Sequence, residues 1–204
     1  MLKKIISLVC GVVVLAMPTN AFAFRANHKG MSELRPVLGG DAYFSQQVQY
    51  SQTQATLGGK EGQNALLQGY ALRAAVGLEH MHFLQTGVFF SSVTENMRTG
   101  SRAEFRSMEF GAEAKLVFTG PLANLCLGGG AVASQGSYRN GLEFGSTAGN
   151  GYFGVAEVVY FMSSRLSFNV STSSHWMDQT VRGASFNSVT SQGLRGGAGF
   201  SIWL

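Results

Sequence analysis

From Pro36 onward the chain alternates, and this pattern limits its fold more than any other feature. Apolar residues take turns with polar or small ones along one segment after another, eight times in all. Period two is the repeat of an extended strand, whose successive side chains point to opposite faces. Residues 165–176 show it most clearly. Leu166, Phe168, Val170, Thr172 and Trp176 share one face, and Arg165, Ser167, Asn169, Ser171, Ser173 and His175 share the other. Residues 107–118 set Met108, Phe110, Ala112, Ala114, Leu116 and Phe118 against Ser107, Glu109, Gly111, Glu113 and Lys115. Residues 193–204 set Leu194, Gly196, Ala198, Phe200, Ile202 and Leu204 against Gly193, Arg195, Gly197, Gly199 and Ser201. Segments 38–50 and 66–78 fit with less contrast. Segments 82–93, 122–133 and 152–161 are apolar on both faces, which leaves their facing open.

Eight strands of roughly 10–14 residues are close to the length a tilted strand needs to cross a bilayer. The connections alternate between short (near residues 79–80, 119–121 and 163–164) and long (51–65, 94–103, 134–150 and 178–191). The long ones are rich in Gly, Ser, Asn, Gln and Arg. Short turns on one side and long loops on the other are the wiring of a membrane barrel, and an even strand count puts both termini on the short-turn side. Composition agrees. Charged residues are 13% of the chain, about half the usual share, and Gly is 27 of 204. The glycines keep no three-residue period, which excludes collagen. High apolar content with low net charge argues against disorder.

Alternation alone does not say which face meets oil. A soluble eight-stranded barrel of lipocalin type puts its apolar residues inside, and this chain reads the other way for three reasons. Its polar face is rich in Gly and small residues and poor in Lys and Glu, unlike a solvated surface. Its apolar face carries Tyr50, Tyr70, Phe118, Tyr152, Tyr160 and Trp176 near strand ends, where interfacial aromatic girdles lie. The last alternation runs to Phe200-Ser201-Ile202-Trp203-Leu204, where the sequence ends. With these residues in view, the chain from residue 24 resembles the small eight-stranded outer-membrane barrels, such as the membrane domain of outer-membrane protein A and the outer-membrane protein X family. The resemblance implies an all-β, antiparallel transmembrane barrel over residues 36–204 in the outer membrane of a Gram-negative bacterium. It also implies recognition of the C-terminal strand by the outer-membrane assembly machinery. That family usually ends in Phe; this chain ends in Leu204 after Trp203.

The N-terminus reads as an export signal. Lys3 and Lys4 form a positive start, residues 5–17 an apolar run short of the ~20 needed to span a bilayer, and Ala21-Phe22-Ala23 a small-x-small cleavage site. The expected organisation is a cleaved signal peptide (1–23), a short periplasmic lead (24–35) and the barrel. Removing Lys3 and Lys4 takes the net charge from +4 to about +2, so the basic pI does not point to nucleic acid. Cys126 is then the one cysteine left, which excludes an intrachain disulfide.

The charges predicted to face the lumen carry most of the functional information. Asp41, Glu79, Glu109, Glu113 and Glu157 oppose Arg73, Lys115, Arg165 and Arg195. Charges enclosed in a narrow barrel must pair, because an unpaired one costs several kcal/mol. Such a set either packs the lumen or gates a narrow pore. A lipid-modifying enzyme would need a Ser-His-acid cluster, which Ser173, His175 and Glu109 or Glu113 could supply. His80 and His82 share a parity, with no third metal ligand in sight. No metal, cofactor or catalytic residue is therefore expected. Lys60, Arg98, Arg102, Arg106, Arg139 and Arg182 fall in or near the long loops, where Arg can make charge-assisted bonds to lipopolysaccharide phosphate. Tyr138, Leu142, Phe144 and Phe186 are expected at the surface of the third and fourth loops. The reading is a monomeric, non-enzymatic envelope protein, with a narrow channel as the alternative and a lipid A-modifying enzyme third.

Overall fold

The computed structural model describes residues 41–58, 63–80, 83–98, 103–120 and 123–204. The expected signal peptide and periplasmic lead, and Lys60, His82 and Arg102, lie outside them. So does the Asp41 side chain, although its backbone opens the first strand. Eight strands follow in chain order: β1 (Asp41–Gly58), β2 (Gln63–His80), β3 (Leu84–Met97), β4 (Ala103–Thr119), β5 (Ala123–Asn140), β6 (Glu143–Phe161), β7 (Leu166–Arg182) and β8 (Ser188–Trp203). Each pairs antiparallel with its neighbours, and β8 closes on β1. Closure leaves no edge and satisfies the backbone within the wall, which a bilayer demands.

The register sets the shape. Following hydrogen-bonded partners round the barrel from Phe44 leads through Val76, Val88, Ala112, Ala131, Tyr152, Trp176 and Gln192. The path returns to β1 at Gln54, a stagger from position 44 to position 54. Eight strands with a stagger of ten tilt by roughly 40°. The rings are then narrow enough for side chains to fill the interior.

Val48, Leu72, Val76, Val88 and Phe110 point outward and are more than half exposed. Tyr50, Tyr70, Tyr152 and Trp176 crown this belt, with Tyr50–Tyr70 and Tyr152–Trp176 in ring contact at 5.6 and 5.1 Å. Phe118 and Tyr160 bound it below, beside the exposed Phe200 and Ile202. From Tyr160 up to Tyr152 on β6 the belt rises about 20 Å at this tilt, close to the height of the apolar band of such barrels. A wall that is apolar outside and polar inside is built for lipid.

The four long loops expected at 51–65, 94–103, 134–150 and 178–191 are a misreading. The strands run 14 to 19 residues and take up most of 51–65, 134–150 and 178–191 and half of 94–103. β5 and β6 meet across a two-residue turn, Gly141-Leu142, in which Gly141 has the positive φ (60°) that such tight hairpins require. At the other end of the barrel, Ser163 Oγ accepts from the backbone N–H groups of Arg165 and Leu166 and closes the β6–β7 turn.

Above the belt the wall exchanges its faces. Gln54, Thr56, Asn96, Gln135, Ser137, Asn150, Thr180 and Thr190 point outward and are exposed. Inside the same stretch, Ala55, Leu57, Leu67, Ala103, Phe105, Tyr138, Val181, Phe186 and Val189 pack into one apolar cluster. The barrel therefore continues roughly 15 Å beyond the belt as a water-facing collar with an oily centre. Tyr138 and Phe186 were expected at the surface. They are 3% and 9% exposed, held in ring contact at 4.9 Å inside the collar. Leu142 and Phe144 are exposed, at 99% and 59%.

A closed barrel of this kind resists detergent until heated. Folded protein loaded without boiling should run at a different position from boiled protein on an SDS gel. Bands that coincide would rule out this fold.

Candidate functional site

β1 serves as a ruler for the lumen. From the turn end upward its inward residues are Tyr43, Ser45, Gln47, Gln49, Ser51, Thr53, Ala55 and Leu57, all buried. A polar column thus stands between two apolar ends. The lower end is Tyr43, Val117, Cys126, Val159 and Trp203, with Trp203 Nε1 donating to Ser167 Oγ at 2.9 Å. Glycine makes room for these rings: a Cβ on Gly77 would lie 2.6 Å from the Tyr43 ring, and one on Gly111 2.3 Å from that of Phe89.

The lower part of the column is a chain of charges. Lys115 Nζ donates to Glu157 at 2.7 Å and lies 3.3 Å from Glu113 Oε1. Arg73 Nη2 donates to Glu113 Oε2 at 2.7 Å, and its guanidinium lies over the Phe89 ring at 4.2 Å. Gln47 donates to Glu157 at 2.8 Å and accepts from Gln49 and Ser171, each at 3.0 Å. Below them, Asn169 donates to Ser45 and Ser201, and Gln85 donates to Glu79 at 3.0 Å.

Higher up, Arg195 makes a two-toothed pair with Glu109 at 2.6 and 2.7 Å. Above it Glu95 accepts from Ser51 and Thr53, both at 2.8 Å, and Thr53 Oγ1 lies 3.3 Å from His175 Nε2. With the Thr53 proton directed to Glu95, His175 is the donor in that contact. Two small cavities lie in the column. One of about 10 Å³ is lined by Arg73, Glu113, Lys115 and Glu157, and one of about 20 Å³ by Glu95, Glu109, His175 and Arg195. Each has room for about one water.

Of the charges expected in the lumen, the structure brings together Arg73, Glu113, Lys115 and Glu157 in one group and Glu109 with Arg195 in another. Arg165 is a correction. It has the inward parity of β7 but precedes the strand, and in the turn it is exposed to water. Glu95 joins the column from the upper end of β3, in the 94–103 segment expected to be a loop. Its outward neighbours are polar, Thr94 opposite Tyr70 at the top of the belt and Asn96 exposed above it, so no apolar alternation marks the strand there. His175 turns to Thr53, not Ser173, so the Ser-His-acid order does not form. His80 Nε2 lies 2.9 Å from Thr86 Oγ1.

The arginines expected at the loops sit on the collar. Arg98, Arg106, Arg139 and Arg182 are all exposed. Arg106 Nε donates to Glu104 at 2.8 Å, Arg98 to Gln68 at 3.3 Å, and the Arg139 guanidinium lies 5.1 Å from the Phe144 ring centre. The Glu143 carboxylate accepts from the Ser185 backbone N–H, which ties the β5–β6 hairpin to the β7–β8 loop.

No protein-family model matches the chain, and no curated protein matches it in sequence. Solved structures do match it. Neisserial surface protein A (NspA) is 17% identical, with 78% of this chain and 96% of that one covered at a TM-score of 0.56. The outer membrane protein OprG from Pseudomonas aeruginosa is 10% identical, with 81% and 96% covered at 0.56. Ail of Yersinia pestis is 13% identical, with 80% and 99% covered at 0.46. The fold is that of the small eight-stranded outer-membrane barrels. The outer apolar belt gives the chain the matching place, integral to that membrane.

Proposed function

We propose that this chain is a non-enzymatic outer-membrane barrel with a sealed lumen, which stabilises the envelope and holds a rigid collar at the cell surface. The observation that carries this reading is the filled interior. Arg195–Glu109 and the Arg73–Glu113–Lys115–Glu157 chain occupy the column, closed by apolar residues at both ends. Charges so placed lose nothing by staying paired and would cost several kcal/mol each to separate. Strand β8, with Phe200 and Ile202 on its lipid face, is the segment such a barrel would offer to the assembly machinery.

A narrow channel is the second reading. Glu113 lies against both Arg73 and Lys115, so a change of partner is within reach of one side chain. Conduction would still require both apolar ends to open. Single-channel recording of refolded protein in a planar bilayer separates the two readings. Folded protein should insert and remain silent. Discrete, reproducible steps whose selectivity changes in Glu113→Gln would replace the sealed reading with the channel.

A further inference from the structure

The collar is not evenly charged. Arg106 and Arg139 lie on the adjacent strands β4 and β5, and Arg98 directly follows the upper end of β3; all three are exposed. Thr190 and Gln192 of β8 and Gln54 and Thr56 of β1, on the far side, carry no formal charge. The cross-strand register pairs Arg106 with Ser137 and Glu104 with Arg139. Arg106 and Arg139 are therefore diagonal neighbours about 7–8 Å apart, a gap that one phosphate or phosphosugar can bridge.

All three arginines are held in place. Glu104 takes the Arg106 Nε–H, Gln68 takes one N–H of Arg98, and the Phe144 ring supports Arg139. The other N–H groups are left for an acceptor outside the wall. A guanidinium fixed in this way loses little freedom on binding, and its planar fork suits phosphate oxygens. Glu104 offsets one of the three positive charges, so the patch stays cationic.

Depth identifies the source of the phosphate. Arg106 stands two residues above Met108 and four above Phe110, both on the apolar belt and more than half exposed. Phe90 packs on Phe110 at 4.9 Å, and the small Ala131 and Ala133 adjoin them on β5. An anion bound at Arg106 and Arg139 has hydrocarbon-facing wall directly beneath it.

We propose that the β3–β5 side of the collar binds the phosphorylated headgroup of an outer-leaflet glycolipid, whose acyl chains lie on the Met108–Phe110 wall below. This rests on the reading of the chain as an outer-membrane barrel. It narrows the expected lipopolysaccharide contacts to one side of the protein.

The test is native mass spectrometry of the full barrel in detergent, titrated with bisphosphorylated lipid A. The double variant Arg106→Gln/Arg139→Gln should bind at least tenfold more weakly than the parent. Thr190→Ala/Gln192→Ala on the far wall should bind like the parent. Lipid A stripped of phosphate should bind the parent as weakly as the double variant binds the intact lipid. The heat-dependent gel shift checks that each variant is folded. Unchanged affinity in the arginine variant would overturn the proposal, as would equal binding of the dephosphorylated lipid. Displacement of the lipid by equimolar inorganic phosphate would overturn the choice of a lipid as the source. A silent bilayer with unchanged lipid binding would leave the sealed lumen standing and remove the glycolipid site alone.

Discussion

Glu109→Ala should cost about 3–5 kcal/mol of folding stability, read from urea unfolding in detergent or lipid vesicles. Arg195 is 9% exposed and donates both of its carboxylate bonds to Glu109. Removing that carboxylate strands a guanidinium inside a column where the neighbouring acid, Glu95, is already bonded by Ser51 and Thr53. The loss is that of an unpaired buried charge, which exceeds the net worth of the pair itself. The variant Glu109→Leu/Arg195→Met should accordingly recover most of the stability, since both charges leave together. A single-variant loss below 1 kcal/mol would mean that water reaches the column, and the lumen would not be sealed.

The second large effect is on the outer wall. Val88 and Val170 point into the belt near mid-height, at 62% and 45% exposure. Arg at either position should destabilise the barrel by about 2–4 kcal/mol in vesicles, and Arg at Gln54 or Asn96, above the belt, by about 0–1 kcal/mol. The contrast between depths tests the arrangement. Equal costs at Val88 and Asn96 would place the membrane elsewhere on the wall.

Much of the fold could be read in the sequence because outward and inward residues differ in kind along β1, β2, β4, β7 and β8. Where they do not, the facing was hidden. On β3, Phe89 points inward over Arg73 while Phe90 points outward against Phe110, so two aromatics in a row say nothing about side. On β5 and β6, Cys126, Val132, Phe153 and Val159 fill the interior while Leu127 and Tyr152 face out. The lumen there is packed with apolar groups over glycines, and the contrast vanishes. The members of the charge column were legible by parity. Parity failed at Arg165, where the strand had not yet begun; it holds at Glu95, which lies beyond the end of the expected 82–93 segment. The collar was hardest to see, because a strand that is polar outside and apolar inside imitates a loop when only its polar half is noticed.

That exchange of faces gives the barrel a waterline of its own. Sliding the wall upward would lift Tyr50, Tyr70 and Trp176 into water, and sliding it down would drown Gln54, Asn96 and Asn150 in hydrocarbon. Both displacements are penalised on every strand at once, so the restoring force grows with the whole circumference. Such a protein keeps its draught in membranes of differing thickness by making the lipid adjust to it. The height at which the collar stands above the cell surface is thereby written into the strands themselves.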